Sequence, residues 1–142
     1  MLLYYCRPRP IAKSMNTVNY TERKNFVKFD EKHYLLYLNE QPADVEVGGD
    51  GDQEERQTVK GFSYTGPEID GSTKIQASDV TDANRRSKFI AGLLGTEYSI
   101  DDQIALLAND DDTNEHAEEL AVFLADRKEI KKVIDELLAR EI

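Results

Sequence analysis

Residues 72–95 read STKIQASDVTDANRRSKFIAGLLG, and within them the hydrophobic period changes. Up to Ala77 the alternation is that of a strand, with Ile75 and Ala77 on one face. From residue 79 onward Ala83, Ile90, Leu93 and Leu94 follow helical spacing. Asp79 or Thr81 stands where an N-cap belongs, and Gly95 where a C′ glycine belongs. This switch divides the chain into a β-rich part, residues 26–77, and an α-rich part, residues 78–142, of one domain.

Upstream, FVKFDEKHYLLYL alternates Val27 and Phe29 about Lys28, then runs from Tyr34 to Leu38, with a turn expected at Asp30 and Glu31. Pro42 is expected to break the chain. Val45 and Val47 lead into GGDGDQEE, three glycines and four acids that read as a loop. TVKGFSY supplies Val59, Phe62 and Tyr64, with a bulge expected at Gly61. TGPEIDG is the next turn. The β-rich part therefore reads as an antiparallel meander of three to four strands.

Downstream, YSIDDQIALLAND forms a short helix capped by Ser99, with Ile100, Ile104 and Leu107 as its apolar stripe. A long helix follows, from about Glu115 to Glu141, with Leu120, Leu124, Ile130, Ile134 and Leu137 toward the core. The expected fold class is α+β: the meander, two short helices and one long C-terminal helix. Residues 1–25 read as a flexible N-terminal segment. Two readings of residues 1–14 stay open: a disordered tail, or leader or vector-derived sequence before a start at Met15.

The chain has 142 residues, 28 acidic and 18 basic side chains, and a formal net charge of −10. That balance argues against direct nucleic-acid binding and against anionic membrane surfaces, both of which recruit Lys and Arg. Residues 101–119 carry eight acids and no Lys or Arg. Cys6 is the single cysteine, so no internal disulfide can form. Leu2 to Cys6 is too short for a signal-peptide core, and its positive charge follows it instead of preceding it. A cytoplasmic location is expected.

Asp110, Asp111 and Asp112 invite a calcium-loop reading. Counted from Asp110, position 6 is Glu115 where glycine is needed, and position 12 is Ala121 where a carboxylate is needed. Counted from Asp50, those positions hold Glu55 and Gly61. Both frames fail, and the acids suit the electropositive start of a helix instead. His33 and His116 lack zinc-type neighbours. GGDGD lacks a Gly-Lys-Ser/Thr ending. No catalytic, cofactor-binding or metal-binding residue is assigned, and the chain reads as no enzyme.

Partner binding is assigned to two sets of residues. Tyr34, Tyr37 and Tyr64 are expected to cover one sheet face, their hydroxyls in water, as a docking surface. Leu120, Phe123, Ile130, Ile134 and Leu137 form a stripe wide enough for a partner interface or a homo-oligomer, unless the helix lies buried across the sheet. Arg85, Arg86 and Lys88 form a small basic cluster.

The linear order HYLLYL, acidic loop, FSYTGPEIDGSTKI, short helix, YSIDDQIALLAND and long charged helix resembles small phage and prophage proteins of the tail-fibre-assembly and tail-assembly-chaperone type. The residues that carry it are Tyr98, Ser99, Gln103, Ile104, Ala105, Leu106 and Leu107, within a resemblance spanning residues 26–142. It implies a non-catalytic accessory protein that binds a phage structural or host protein, and it brings no catalytic residue. The alternative function is an acidic inhibitor that imitates nucleic acid in the cleft of a DNA-binding enzyme.

Overall fold

The computed structural model describes residues 14–48, 56–108 and 114–142. Among the described residues six strands form two antiparallel three-stranded sheets, followed by three helices, an α+β fold. The first sheet has the order β1 (Asn16–Tyr20), β5 (Gln57–Gly66), β4 (Gln41–Val47). The second has the order β2 (Phe26–Asp30), β3 (His33–Leu36), β6 (Thr73–Gln76). The helices are α1 (Arg85–Gly95), α2 (Ile100–Ala108) and α3 (Asn114–Ala139).

The expected α+β order, antiparallel strands followed by two short helices and one long C-terminal helix, is the observed one, with the strands divided between two sheets. The added strand, β1, lies in the segment expected to be flexible. Its sequence, NTVNY, is polar and short, so its own pattern is faint. Long-range pairing fixes it: Val18 sits opposite Tyr64 and Tyr20 opposite Phe62. The Asn16 amide also donates to the carbonyls of Pro67 and Glu68, at 3.2 and 2.9 Å.

Local chemistry sets the connections. Asp30 accepts from the Lys32 amide at 2.8 Å and closes the β2–β3 turn where the acids predicted one. Pro42 does not end a strand; it lies within β4, an edge strand, where a missing N–H is tolerated. Gly61 makes no bulge, since its register with Ala43 is regular. A Cβ there would lie 2.3 Å from the Tyr20 carbonyl oxygen, so glycine lets the strands close up. The irregularity falls instead in β2, between Lys28 and Asp30.

The second sheet and the helices enclose the core. Leu36 and Ile75 from the sheet meet Phe89, Ile90, Leu93 and Leu94 of α1, and Phe123, Ile130, Ile134 and Leu137 of α3. Phe89 meets Phe26 edge-on and Tyr34 at a tilt, with ring centroids 5.1 and 5.2 Å apart. Gly92 brings α1 onto β6; a Cβ there would stand 2.6 Å from the Gln76 carbonyl oxygen. α1 starts later than the 79–81 cap implied, because Thr81 and Asn84 bond each other in a preceding turn. Gly95 is the last residue of α1, and Thr96 caps it in a right-handed conformation.

The stripe of α3 therefore faces inward. Phe123, Ile130, Ile134 and Leu137 are buried, and Leu120 packs partly buried against them. Of the two readings of this stripe, burial within the monomer is the one these five side chains show, and the partner or homo-oligomer reading draws no support from them. Leu124, expected inside, is 46% exposed.

Candidate functional site

Two places gather functional-looking side chains. The first joins the sheets. Tyr20, Tyr37 and Tyr64 pack edge-on and tilted, with ring centroids 5.6–6.1 Å apart. The Tyr37 hydroxyl donates to Asp70 Oδ2 at 2.9 Å, and the Tyr20 hydroxyl to the Asp70 carbonyl at 2.6 Å. The Tyr64 hydroxyl donates to Glu40 Oε2 at 2.7 Å and accepts from the Lys24 amide at 2.8 Å. Arg23 grips both oxygens of Glu40 through Nε and Nη2, at 3.1 and 3.0 Å.

Arg140, just beyond the end of α3, closes this network. Its Nη1 donates to the carbonyls of Tyr37 at 2.6 Å and Lys24 at 3.0 Å. Its Nε lies 3.7 Å from Glu40, and its guanidinium stands 5.5 Å from the Tyr64 ring centre. One cation thus ties the last helix to the strands and connections of both sheets.

The titrations follow from these contacts. Burial pushes the Tyr37 hydroxyl far above the usual tyrosine range, and the bond to Asp70 adds to it. Burial likewise raises Tyr20, with the Asp70 charge, and Tyr64, with the Glu40 contact. Burial alone would raise Glu40, but hydrogen bonds from Arg23 and Tyr64, with the Arg140 charge, outweigh it and hold the carboxyl below its ordinary value. At Asp70 burial is similarly outweighed by bonds from Ser72 and Tyr37. Burial lowers Arg140, against the opposing pull of Glu40. The hydroxyls stay protonated and the carboxylates charged at neutral pH, each committed to partners inside the network.

Tyr37 and Tyr64 were expected to offer rings to a partner and hydroxyls to water. Both are buried, Tyr64 completely, and both hydroxyls are spent internally. Tyr34 is half-buried on Phe26 and Phe89. The expected aromatic docking face is thereby corrected to an inter-sheet contact and a core edge. Tyr20, Glu40, Asp70 and Arg140 had no local signal. The available hint was an arginine directly after the apolar stripe of α3.

The second place is α2 and the groove beside it. Ser99 caps α2 as expected, accepting from the Asp102 amide at 3.0 Å. The stripe Ile100, Ile104 and Leu107 does not face the core. These residues are 68%, 59% and 57% exposed, while Leu106 is the buried side chain of α2. Their spacing keeps them on one helical face. Tyr98, just before α2, is buried against Phe123 and donates its hydroxyl to Asp126.

Ile100 also borders a groove of about 850 Å³ between β6, α1 and the start of α2. Ile75, Ala77, Ala91 and Tyr98 contribute to its lining, and Lys32, Lys74 and Lys88 are the lysines on it. The expected basic cluster of α1 is thus split. Arg85 pairs with Asp82 and Arg86 with Asp135, while Lys88 lines the groove.

Among the described residues no group of three or more His, Cys, Asp or Glu is gathered as a metal site. Asp110 to Asp112 and the GGDGDQEE loop beyond Gly48 lie outside the described residues. No helix of the described residues is long and apolar enough to cross a membrane. No protein-family model matches the chain, and comparison with curated proteins and with solved structures gives no match.

Proposed function

We propose that this chain is a non-catalytic interaction module of the phage or prophage accessory type, docking a different protein on the outer face of α2. One observation carries the reading: Ile100, Ile104 and Leu107 are aliphatic, more than half exposed and aligned on one helix face. Single exposed aliphatics are ordinary, but three in register form a continuous apolar strip. The same helix lies within the segment through which the sequence resembles tail-assembly proteins. Asp101 flanks this face, so two copies meeting through it would bring like charges to its rim, which favours a heterologous partner over a second copy. The nucleic-acid-mimic reading draws less support, since Glu40, Asp44, Glu46, Asp82 and Asp135 already have cationic neighbours.

The test places a photo-crosslinking residue at Ile104 and identifies the protein captured in phage-infected cells. That protein is then purified and titrated against the chain and against Ile104→Asp/Leu107→Asp. The expected loss of affinity is about tenfold or more, because two apolar contacts become buried charges. Equal affinity for both would remove α2 from the interface.

A further inference from the structure

We infer that the outer face of α2 receives a basic amphipathic helix of the partner protein, its apolar side on Ile100, Ile104 and Leu107 and its Lys or Arg residues toward the start of α3. This inference rests on the interaction reading and names the chemistry that the same surface selects. Two features coincide in one part of the chain. Residues 89–126 hold ten acids and no Lys or Arg, the longest stretch without either cation. Among the described residues ten large hydrophobic side chains are exposed, and five of them fall in that stretch: Ile100, Ile104, Leu107, Val122 and Leu124.

The geometry of α2 joins the two features. Leu106 turns to the core, and helical spacing gathers Ile100, Ile104, Ala105, Leu107 and Ala108 on the exposed side, with Asp101 at its rim. Tyr98, just before α2, meets Phe123 of α3 edge-on and bonds Asp126, while residues 109–113 join the end of α2 to the start of α3. α2 therefore runs antiparallel to the first half of α3, which sets Leu107 toward the exposed Glu115 and Glu118. No basic residue stands in the last turn of α2, so its electronegative end adds to these carboxylates. At the other end Ile100 borders the groove that Lys88 lines, so a cationic partner gains most beside Leu107.

Shape and charge then choose the occupant. A convex apolar face about two turns long suits a second helix, whose side-chain ridges fill the gaps between Ile100, Ile104 and Leu107. The acids repel an anionic lipid surface, and a second copy would bring its own acids to the rim. Lys or Arg beside the apolar stripe of a different protein meets both requirements.

The experiment is a display selection on the full chain with a library of amphipathic helical peptides. Leu, Ile or Phe is fixed at positions i, i+3, i+4 and i+7, and the flanking positions vary. Two substituted chains run in parallel. Asp101→Asn/Glu115→Gln/Glu118→Gln removes exposed carboxylates without touching the core, and Ile104→Asp/Leu107→Asp breaks the apolar strip. The expected result is enrichment of Lys and Arg at the flanking positions. Selected peptides should bind about tenfold or more weakly to the strip-substituted chain, and about threefold to tenfold more weakly to the carboxylate-substituted one. A crosslinker at the basic end of a selected peptide should attach to the first turns of α3; attachment to α1 would overturn the inference. So would enrichment without Lys or Arg, or no enrichment at all. Peptides that need Ile104 and Leu107 but bind the carboxylate-substituted chain equally well leave the α2 reading standing and remove this inference. Peptides indifferent to the strip substitutions remove both.

Discussion

The second sheet and the three helices close around a continuous apolar core, whereas the first sheet contributes one buried hydrophobic side chain, Tyr64, among the described residues. The first sheet is tied to the rest through tyrosine hydroxyls, Glu40, Asp70 and Arg140. One half is thus held by burial, which is non-directional and tolerant of exact geometry. The other is held by directional bonds, each of which fails if a single partner is removed.

The largest expected effect lies in the apolar half. Phe123→Ala should cost about 3–5 kcal/mol and Ile134→Ala about 2–5 kcal/mol, because both side chains are buried and would leave cavities. Urea unfolding monitored by circular dichroism checks this. A loss under about 1 kcal/mol would show that the core is not closed as described.

Arg140→Ala comes next. It removes two charge-assisted bonds to main-chain carbonyls and leaves Glu40 with Arg23 and Tyr64. The expected loss is about 2–3 kcal/mol. Arg140→Lys should recover only part of it, since an ammonium cannot reproduce the guanidinium fork. A Glu40→Gln/Arg140→Ala double-mutant cycle should be non-additive.

The pH dependence sharpens the same contrast. Glu40 and Asp70 are held below their ordinary values of 4.5 and 3.8, so the stability they contribute is present above those values. It is lost as pH falls through the lower folded values. Tyr20, Tyr37 and Tyr64 are raised above 10.0, so the folded state keeps protons that the unfolded chain releases. Their contribution is present below 10.0 and is lost as pH rises through the folded values. Tyrosinate absorbance should show three rings titrating late in the folded protein and normally in urea. All rings titrating together near 10.0 would contradict the network.

The smallest stability effect is expected on α2. Ile104→Asp and Leu107→Asp should each shift unfolding by about 0.5 kcal/mol or less, because both side chains face solvent. A loss of about 2 kcal/mol would place them in the core and remove the docking face.

The apolar half was largely legible in the sequence. The period change after Ala77 marks the boundary between strands and helices, and the spacing of Phe123, Ile130, Ile134 and Leu137 follows one helix face. The α+β class follows from those signals alone. What the spacing could not say is which surface a stripe meets. The same logic that places α3's stripe inward fails for Ile100, Ile104 and Leu107, whose helix docks through Leu106. A short helix can present either face, and only packing decides.

The directional half was nearly silent. β1 carries Asn, Thr, Val, Asn and Tyr, and its partners lie about β5, some 50 residues away. Tyr37 and Asp70, like Glu40 and Arg140, are brought together by topology and share no local motif. The lysine-lined groove is equally non-local: Lys32 follows β2, Lys74 lies in β6 and Lys88 in α1. The high tyrosine count was the one visible clue, and it read as a surface because aromatic rings on strands serve either role.

The direct test of the division between halves is amide hydrogen exchange on Arg140→Ala, read strand by strand against the unsubstituted chain. The expected result is selective loss of protection in β1, β4 and β5, with β3, β6, α1 and the C-terminal part of α3 still protected, because the apolar core remains intact. Equal loss across both sheets and all helices, or no loss in the first sheet, would contradict the account.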